Sequence, residues 1–313
     1  MTRRGVFFVF LAVAALLSTL ALGLQQPPAP PGRFVEADGV RMHVVELGAE
    51  HKGAAPSVVM IHGASANLRD MAMALGAPLA VDRHVILVDR PGHGYSDRPP
   101  DGRLLARQAQ LVRDAATAAG ADRPVVVGQS LGGAVALAYA LAFQDEMSGL
   151  VALAPVSHEW PGGVAWYNHV ATTPIVGAAF RALVIRPYGR FVVPRTIARA
   201  VAPNAMPDDY FRRAGVGLLF YGDRFRHNAE DIVALKPQIV AMQSRYGALR
   251  LPIRVAAGLD DKDVYPDIHA RALAAEAPNA TLTLFENTGH ALHHARTDEI
   301  LKMIRGLSAR DGD

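Results

Sequence analysis

The sequence predicts an α/β protein: a mostly parallel sheet with helices on both faces. Three observations carry this. Short apolar runs rich in β-branched residues alternate with helical segments along most of the chain, as buried parallel strands require. Gly128-Gln129-Ser130-Leu131-Gly132 stands between the strand-like Val125-Val126-Val127 and a helical run from Ala134 to Ala142. The alternation breaks only over 155–250, a proline-dotted stretch without strand patterning.

The chain opens with Arg3 and Arg4, followed by an uncharged run of 19 residues from Val6 to Leu24. About 20 apolar residues span a bilayer as a helix. The arginines favour the cytoplasmic side, which sends the rest across. Residues 1–24 are therefore expected to be a membrane anchor, with the remainder of the chain on the non-cytoplasmic side. A cleavable signal is the alternative, because Ala21-Leu22-Gly23 is an acceptable cleavage site and cleavage would leave an exported or periplasmic protein. Residues 25–32 hold Pro27, Pro28, Pro30 and Pro31 and read as a stiff linker.

Residues 33–154 and 251–313 form the expected core. Arg33 to Leu47 reads as a hairpin about Asp38-Gly39. Strands are expected at Ser57 to Ile61, Val85 to Val88, Val125 to Val127 and Leu150 to Leu153, with helices over Ala66 to Ala80 and Leu104 to Ala119. Beyond 250, Ile253 to Ala257 and Thr281 to Phe285 are the last strands. Within 155–250, Ile175 to Ile185 and Ile232 to Tyr246 look helical.

Half the residues are hydrophobic, enough for a large core, and charged residues are 19%. Net charge is +3, with no dense basic block, so no nucleic-acid partner is expected. With no cysteine, disulfides, thiolate metal sites and cysteine nucleophiles are excluded. The histidines are scattered and the aspartates lack calcium-loop spacing, so no metal is expected. No dinucleotide fingerprint occurs and no cofactor is expected.

A serine at a sharp strand-to-helix turn is held in a strained conformation, and glycines at its flanks relieve the crowding. The hydroxyl then stands above the sheet edge, with the free N–H groups of a helix N-terminus behind it. His62-Gly63, the run from Asp89 to Ser96, the pentapeptide and Gly289-His290, in that order, resemble the α/β-hydrolase superfamily from about Arg33 onward. The resemblance implies an α/β-hydrolase fold with a helical cap at 155–250. It also implies a nucleophile–acid–base order of Ser130, Asp261 and His290, and an oxyanion hole from the backbone N–H groups of Ala64 and Leu131.

Asp260 and Asp263 share the acid's loop, and Asp263 stands where the family more often has an apolar residue, so they remain alternatives to Asp261. His293 and His294 lie near His290. His62, His93 and Ser96 are expected to be structural, and Ser65 and Asn67 to be pocket contacts or helix caps. Trp160, Trp166, Tyr167, Phe211, Phe220 and Tyr221 are candidates to line a pocket. Met206, Met242 and the aromatics are alternatively membrane-facing.

The expected function is a serine hydrolase that cleaves a carboxylic ester or thioester with an apolar acyl group. Cofactor-free perhydrolases, C–C bond hydrolases, lactonases and acyltransferases use similar motifs. A non-catalytic binding protein on the same fold is a further alternative. Serine as nucleophile argues against epoxide hydrolases and haloalkane dehalogenases, which use aspartate there. Oligomeric state is not legible.

Overall fold

The computed structural model describes residues 27–307. The anchor or signal expected over 1–24, the first two linker residues and residues 308–313 lie outside this range. Among the described residues no helix is long and apolar enough to cross a membrane.

Eight strands form one sheet in the order β1-β2-β4-β3-β5-β6-β7-β8. They are β1 (Arg33–Ala37), β2 (Val40–Leu47), β3 (Val58–Ile61), β4 (Val85–Val88), β5 (Val125–Gln129), β6 (Gly149–Leu153), β7 (Ile253–Gly258) and β8 (Ala280–Phe285). β1 and β2 form the expected hairpin, with Ala37 opposite Val40 and positive φ at both Asp38 and Gly39. β2 runs antiparallel to β4, and every pairing from β4 through β8 is parallel. The central strands are buried on both faces, which is why they read as continuous apolar runs.

Alternate side chains serve two cores. Val59, Ile61, Val126 and Val255 face α2 (Leu105–Ala118), α3 (Leu131–Phe143) and the later Ala270–Glu276 helix. Val58, Met60, Val127 and Val151 face the segment from Leu68 to Leu79 and the C-terminal helix Thr297–Leu307. The first of these segments is a correction to one continuous helix: α1 (Leu68–Met71) passes through a π turn, Ala72–Gly76, into a last turn, Ala77–Leu79.

After β6 the chain builds an all-helical cap before returning at β7. It contains α4 (Trp166–Thr172), α5 (Ile175–Phe180), α6 (Arg186–Val201), α7 (Tyr210–Arg213) and α8 (Arg224–Gln243). Helix does not stop at Ile185 as the sequence suggested. A π turn, Arg181–Ile185, joins α5 to α6, and α6 carries Pro187 near its start and Pro194 inside. Proline lacks the N–H that an α-helix would spend four residues back, and a π turn placed before Pro187 absorbs that loss. Likewise α8 begins at Arg224, eight residues ahead of the expected start, and runs through Pro237.

Arg90 fastens the cap to the core. It is fully buried after β4, and its guanidinium reaches Asp231 Oδ2 of α8 at 2.6 Å, Gln108 Oε1 at 2.9 Å and the carbonyl of His62 at 3.1 Å. The candidate catalytic groups leave the C-terminal ends of β5, β7 and β8, the edge where open parallel sheets place their sites.

Candidate active site

Ser130 is the single residue between β5 and α3, with φ 56° and ψ −119°. A non-glycine residue there is strained, at a typical cost of about 1–3 kcal/mol. The fold holds it by locking the backbone on both sides. Ser130 N–H donates to Leu153 O at 2.9 Å, and Ser130 O accepts from Gly133 N, Ala134 N and Val156 N. The flanking glycines are required by close approach: a Cβ on Gly128 would overlap Gly132 O, and one on Gly132 would overlap the carbonyls of Ile61 and His62.

Asp261 and His290 meet. His290 Nδ1 lies 2.7 Å from Asp261 Oδ2, and Asp261 Oδ1 accepts the N–H groups of Asp263 and Val264, each at 2.9 Å. Asp261 is 2% exposed, whereas Asp260 and Asp263 are exposed, so of the three alternatives Asp261 is the one buried against the imidazole. Gly258 makes this possible, because a Cβ there would overlap Thr288 O of the loop that carries His290. Burial alone would lower the His290 pKa, but the adjoining Asp261 carboxylate, with Asp263 and Asp70 further off, outweighs it and raises it. The cap braces this loop: His290 N–H donates to Ala200 O of α6 at 2.9 Å, and Gly289 N–H to Asn204 Oδ1 at 3.0 Å.

The sequence reading had His290 reaching the serine directly. Both face one cavity, but His290 Nε2 lies 3.2 Å from Gln129 Nε2, and no hydrogen bond to Ser130 Oγ forms among the described residues. Gln129 Nε2 also donates to His290 O at 3.4 Å. A carbonyl can only accept, so the amide nitrogen is the end that faces the imidazole. With Nδ1–H given to Asp261, the Nε2 lone pair accepts from Gln129. That is the tautomer a general base needs. Gly63 makes room for this amide, since a Cβ there would overlap Gln129 Oε1 and press within 3.3 Å of Ser130 Cβ.

The same close approach sets the 63–65 segment against Ser130. Neither Ala64 N–H nor Leu131 N–H has an acceptor among the described residues. The next amide is taken: Ser65 N–H donates to Asn228 Oδ1 at 2.6 Å, and Asn228 Nδ2 to Ser65 Oγ at 3.1 Å. Asn228 of α8 thus clamps the turn from the cap, and nothing local in the sequence marks it. Asn67 is both cap and contact, its Oδ1 accepting Arg69 N–H and its Nδ2 donating to Ala214 O. His62 and His93 are fully packed around Arg90. Burial, with Arg90 adding, pushes His62 down to about 4. Ser96 Oγ donates to Asp89 O at 2.7 Å, holding its own loop.

The cavity between core and cap has a volume of about 560 Å³, within the range usual for small-molecule sites. Ser130, His290 and Ala64 face it, with Trp160, Val156, Ile197, Val201, Ile232 and Leu235 supplying apolar walls. Its described lining contains no Arg or Lys and two carboxylates, Asp70 and Asp263. Of the six aromatics expected there, only Trp160 contributes. Trp166 and Tyr167 point outward, 67% and 39% exposed. Phe220 packs against Gly189. Met242 is buried in the core, not presented to a membrane.

A second polar group lines the same cavity. Asp70 receives His293 Nε2 at 2.9 Å, His294 Nε2 at 2.8 Å and the Tyr210 hydroxyl at 2.8 Å. Burial alone would raise Asp70, yet the two imidazoles hold its carboxyl well below the usual range. Scattered histidines gave no metal cluster in the sequence, but the fold gathers these two on one carboxylate, a donor set that could hold an ion. Ligating imidazoles normally give their second N–H to an acceptor. His293 Nδ1 is buried without a partner among the described residues, so the group reads better as a closed hydrogen-bond cluster. It explains why His293 and His294 do not compete with His290: both are committed to Asp70.

A family model described as the alpha/beta hydrolase family matches residues 58–302. The chain is 26% identical to a 2-hydroxy-6-oxononadienedioate/2-hydroxy-6-oxononatrienedioate hydrolase from Cupriavidus pinatubonensis, over 84% of this chain and 90% of that protein. It is 24% identical to a human monoacylglycerol lipase, over 80% and 75%. Among solved structures, an enol-lactonase from Burkholderia xenovorans superposes with a TM-score of 0.69 at 19% identity, over 88% of this chain and 98% of that one. At that identity the likeness shows the fold alone.

Proposed function

The chain belongs to the alpha/beta hydrolase family, and from that premise we propose that it is a serine hydrolase which cleaves carboxylic esters through an acyl-enzyme on Ser130. The observation that carries the reading is a strained serine beside a cavity that also holds an Asp261-paired His290. Neutral His290 takes the Ser130 proton as Oγ attacks the ester carbonyl. Asp261 keeps Nδ1 protonated and stabilises the imidazolium. The N–H groups of Ala64 and Leu131 receive the developing oxyanion. His290 returns the proton to the departing alkoxide, and water later releases the acid by the same base. Gln129 must yield Nε2 before this cycle begins.

The lining selects the substrate. An apolar wall suits an apolar acyl group, and the absence of any described cation disfavours a doubly anionic substrate. The named substrates of the Cupriavidus relative are diacids, whereas a monoacylglycerol is an uncharged ester. Uncharged p-nitrophenyl butyrate is therefore expected to be turned over, with kcat/KM at least a hundredfold above that for a dicarboxylic substrate. Faster cleavage of a hydroxy-oxo-dienedioate would move the reading to C–C bond hydrolysis. Because only neutral His290 is a base, and its pKa is raised, activity should grow with pH through a midpoint above its ordinary 6.5.

Arg3, Arg4 and the apolar run to Leu24 support an anchored protein whose catalytic domain is non-cytoplasmic. Protease digestion of intact cells should remove the catalytic domain, and protection until lysis would oppose this.

A further inference from the structure

One stretch of the cap sequence has an unusual make-up. Residues 161–207 contain five arginines, at 181, 186, 190, 195 and 199, and not one Asp or Glu. The chain averages 29 acids in 313 residues, so about four would be expected in 47. The same stretch holds a run of exposed large apolar side chains: Ile175 at 86%, Trp166 at 67%, Val176 at 66%, Phe191 at 57%, Val192 at 55% and Tyr188 at 54%. On α6, Tyr188, Phe191, Val192, Arg195 and Arg199 fall at helical spacing along one exposed stripe. The opposite face, with Thr196, Ile197, Ala200 and Val201, lines the cavity. One helix, whose charged side chains are all arginines, thus separates the candidate catalytic cavity from an exposed apolar stripe.

We propose that this cap face docks on an anionic lipid surface. Exposed Trp, Phe and Ile beside arginines are the make-up of helices that lie in the interface plane rather than spanning it. A second copy is a poor occupant, because two α6 helices laid together would oppose arginine to arginine, with no acid on either helix. The chain entry is close by. Pro27 and Pro28 share a cleft with Asp223 and Arg224. Asp223 pairs with Arg181 at 3.6 Å, and Gly222 O accepts from Arg186 at 3.0 Å. The apolar sequence from Val6 to Leu24 therefore joins the described chain next to the arginine-bearing helix. The cavity that Ser130 faces lies against the inner side of the same helix. The docking itself does not depend on the catalytic reading.

Trp160 and Trp166 are the only tryptophans, and they lie on the inner and outer sides of the cap. The full chain would be mixed with vesicles of phosphatidylcholine and phosphatidylglycerol carrying brominated acyl chains. Co-sedimentation alone does not decide, since the 6–24 run can hold the chain on any bilayer. Trp166 emission should be quenched in the wild type, with the quenched fraction missing from Trp166→Phe. Arg195→Ala with Arg199→Ala should weaken the affinity read by vesicle-dependent quenching about thirtyfold, at about one kcal/mol per arginine near the surface. Their melting temperature should stay at the wild-type value. Three results would overturn the proposal: a chain that sediments with vesicles while Trp166 stays unquenched; equal quenching by pure phosphatidylcholine; or a stable dimer that shields Trp166 from the vesicles.

Discussion

At the scale of single residues, the site is a set of conformations imposed by neighbours. Ser130 is held at φ 56° by four backbone hydrogen bonds and by glycines that leave no room for side chains. Ser130→Gly should therefore relieve strain and raise unfolding stability by about 1 kcal/mol while removing turnover, whereas Ser130→Ala should remove turnover without that gain. Urea denaturation of both variants measures it. Gln129 stabilises neutral His290 by donating to Nε2. Gln129→Ala should then raise the His290 pKa and move the acid limb of the kcat/KM profile to higher pH, by a few tenths of a unit or more. An unmoved limb would mean the amide has no hold on the base. Ser130, Asp261 and His290 were legible because each follows a strand within a few residues. Gln129 was named only as part of the pentapeptide. Its contact with His290 depends on space left by Gly63, which no local pattern encodes.

At the scale of elements, the strands were legible and the cap was legible only in outline. Buried parallel strands announce themselves as apolar runs, and the Val85–Val88 expectation matches β4 at both ends. Cap helices carry proline where a sequence reader would stop a helix, and the π turn before Pro187 that lets them continue has no signature of its own. The tether between cap and core was likewise hidden, because its members, Arg90 and Asp231, are 141 residues apart. Asp231→Ala would leave a buried guanidinium uncompensated and should cost about 3–5 kcal/mol. Chemical denaturation measures that loss. Since α8 also carries Asn228, which holds Ser65, a milder Asn228→Ala should lower kcat more than stability. Equal loss of both would reduce Asn228 to a packing residue.

At the scale of the whole molecule, core and cap enclose a cavity whose chemistry depends on neutral buried histidines. Burial pushes His62 and His269 down to about 4, so the unfolded chain binds protons that the folded chain refuses between their ordinary 6.5 and 4. Stability must fall as pH drops through that window, by up to about 3 kcal/mol from His62 alone. His290 has the opposite sign: its raised pKa adds stability below 6.5 that is lost as pH rises through the folded value. Asp70, held low, adds stability above the ordinary carboxylate value and loses it only as pH falls through its depressed one. Melting temperature measured from pH 7 to pH 5 should decline, and His62→Gln should flatten the decline. The central claim is tested most directly by intact-mass spectrometry after fluorophosphonate treatment of the wild type, Ser130→Ala and His290→Ala. The account predicts one covalent adduct on the wild type, mapped to Ser130, none on Ser130→Ala, and labelling slowed at least about a thousandfold in His290→Ala. An adduct that persists in Ser130→Ala, or a folded wild type that takes none, would contradict it.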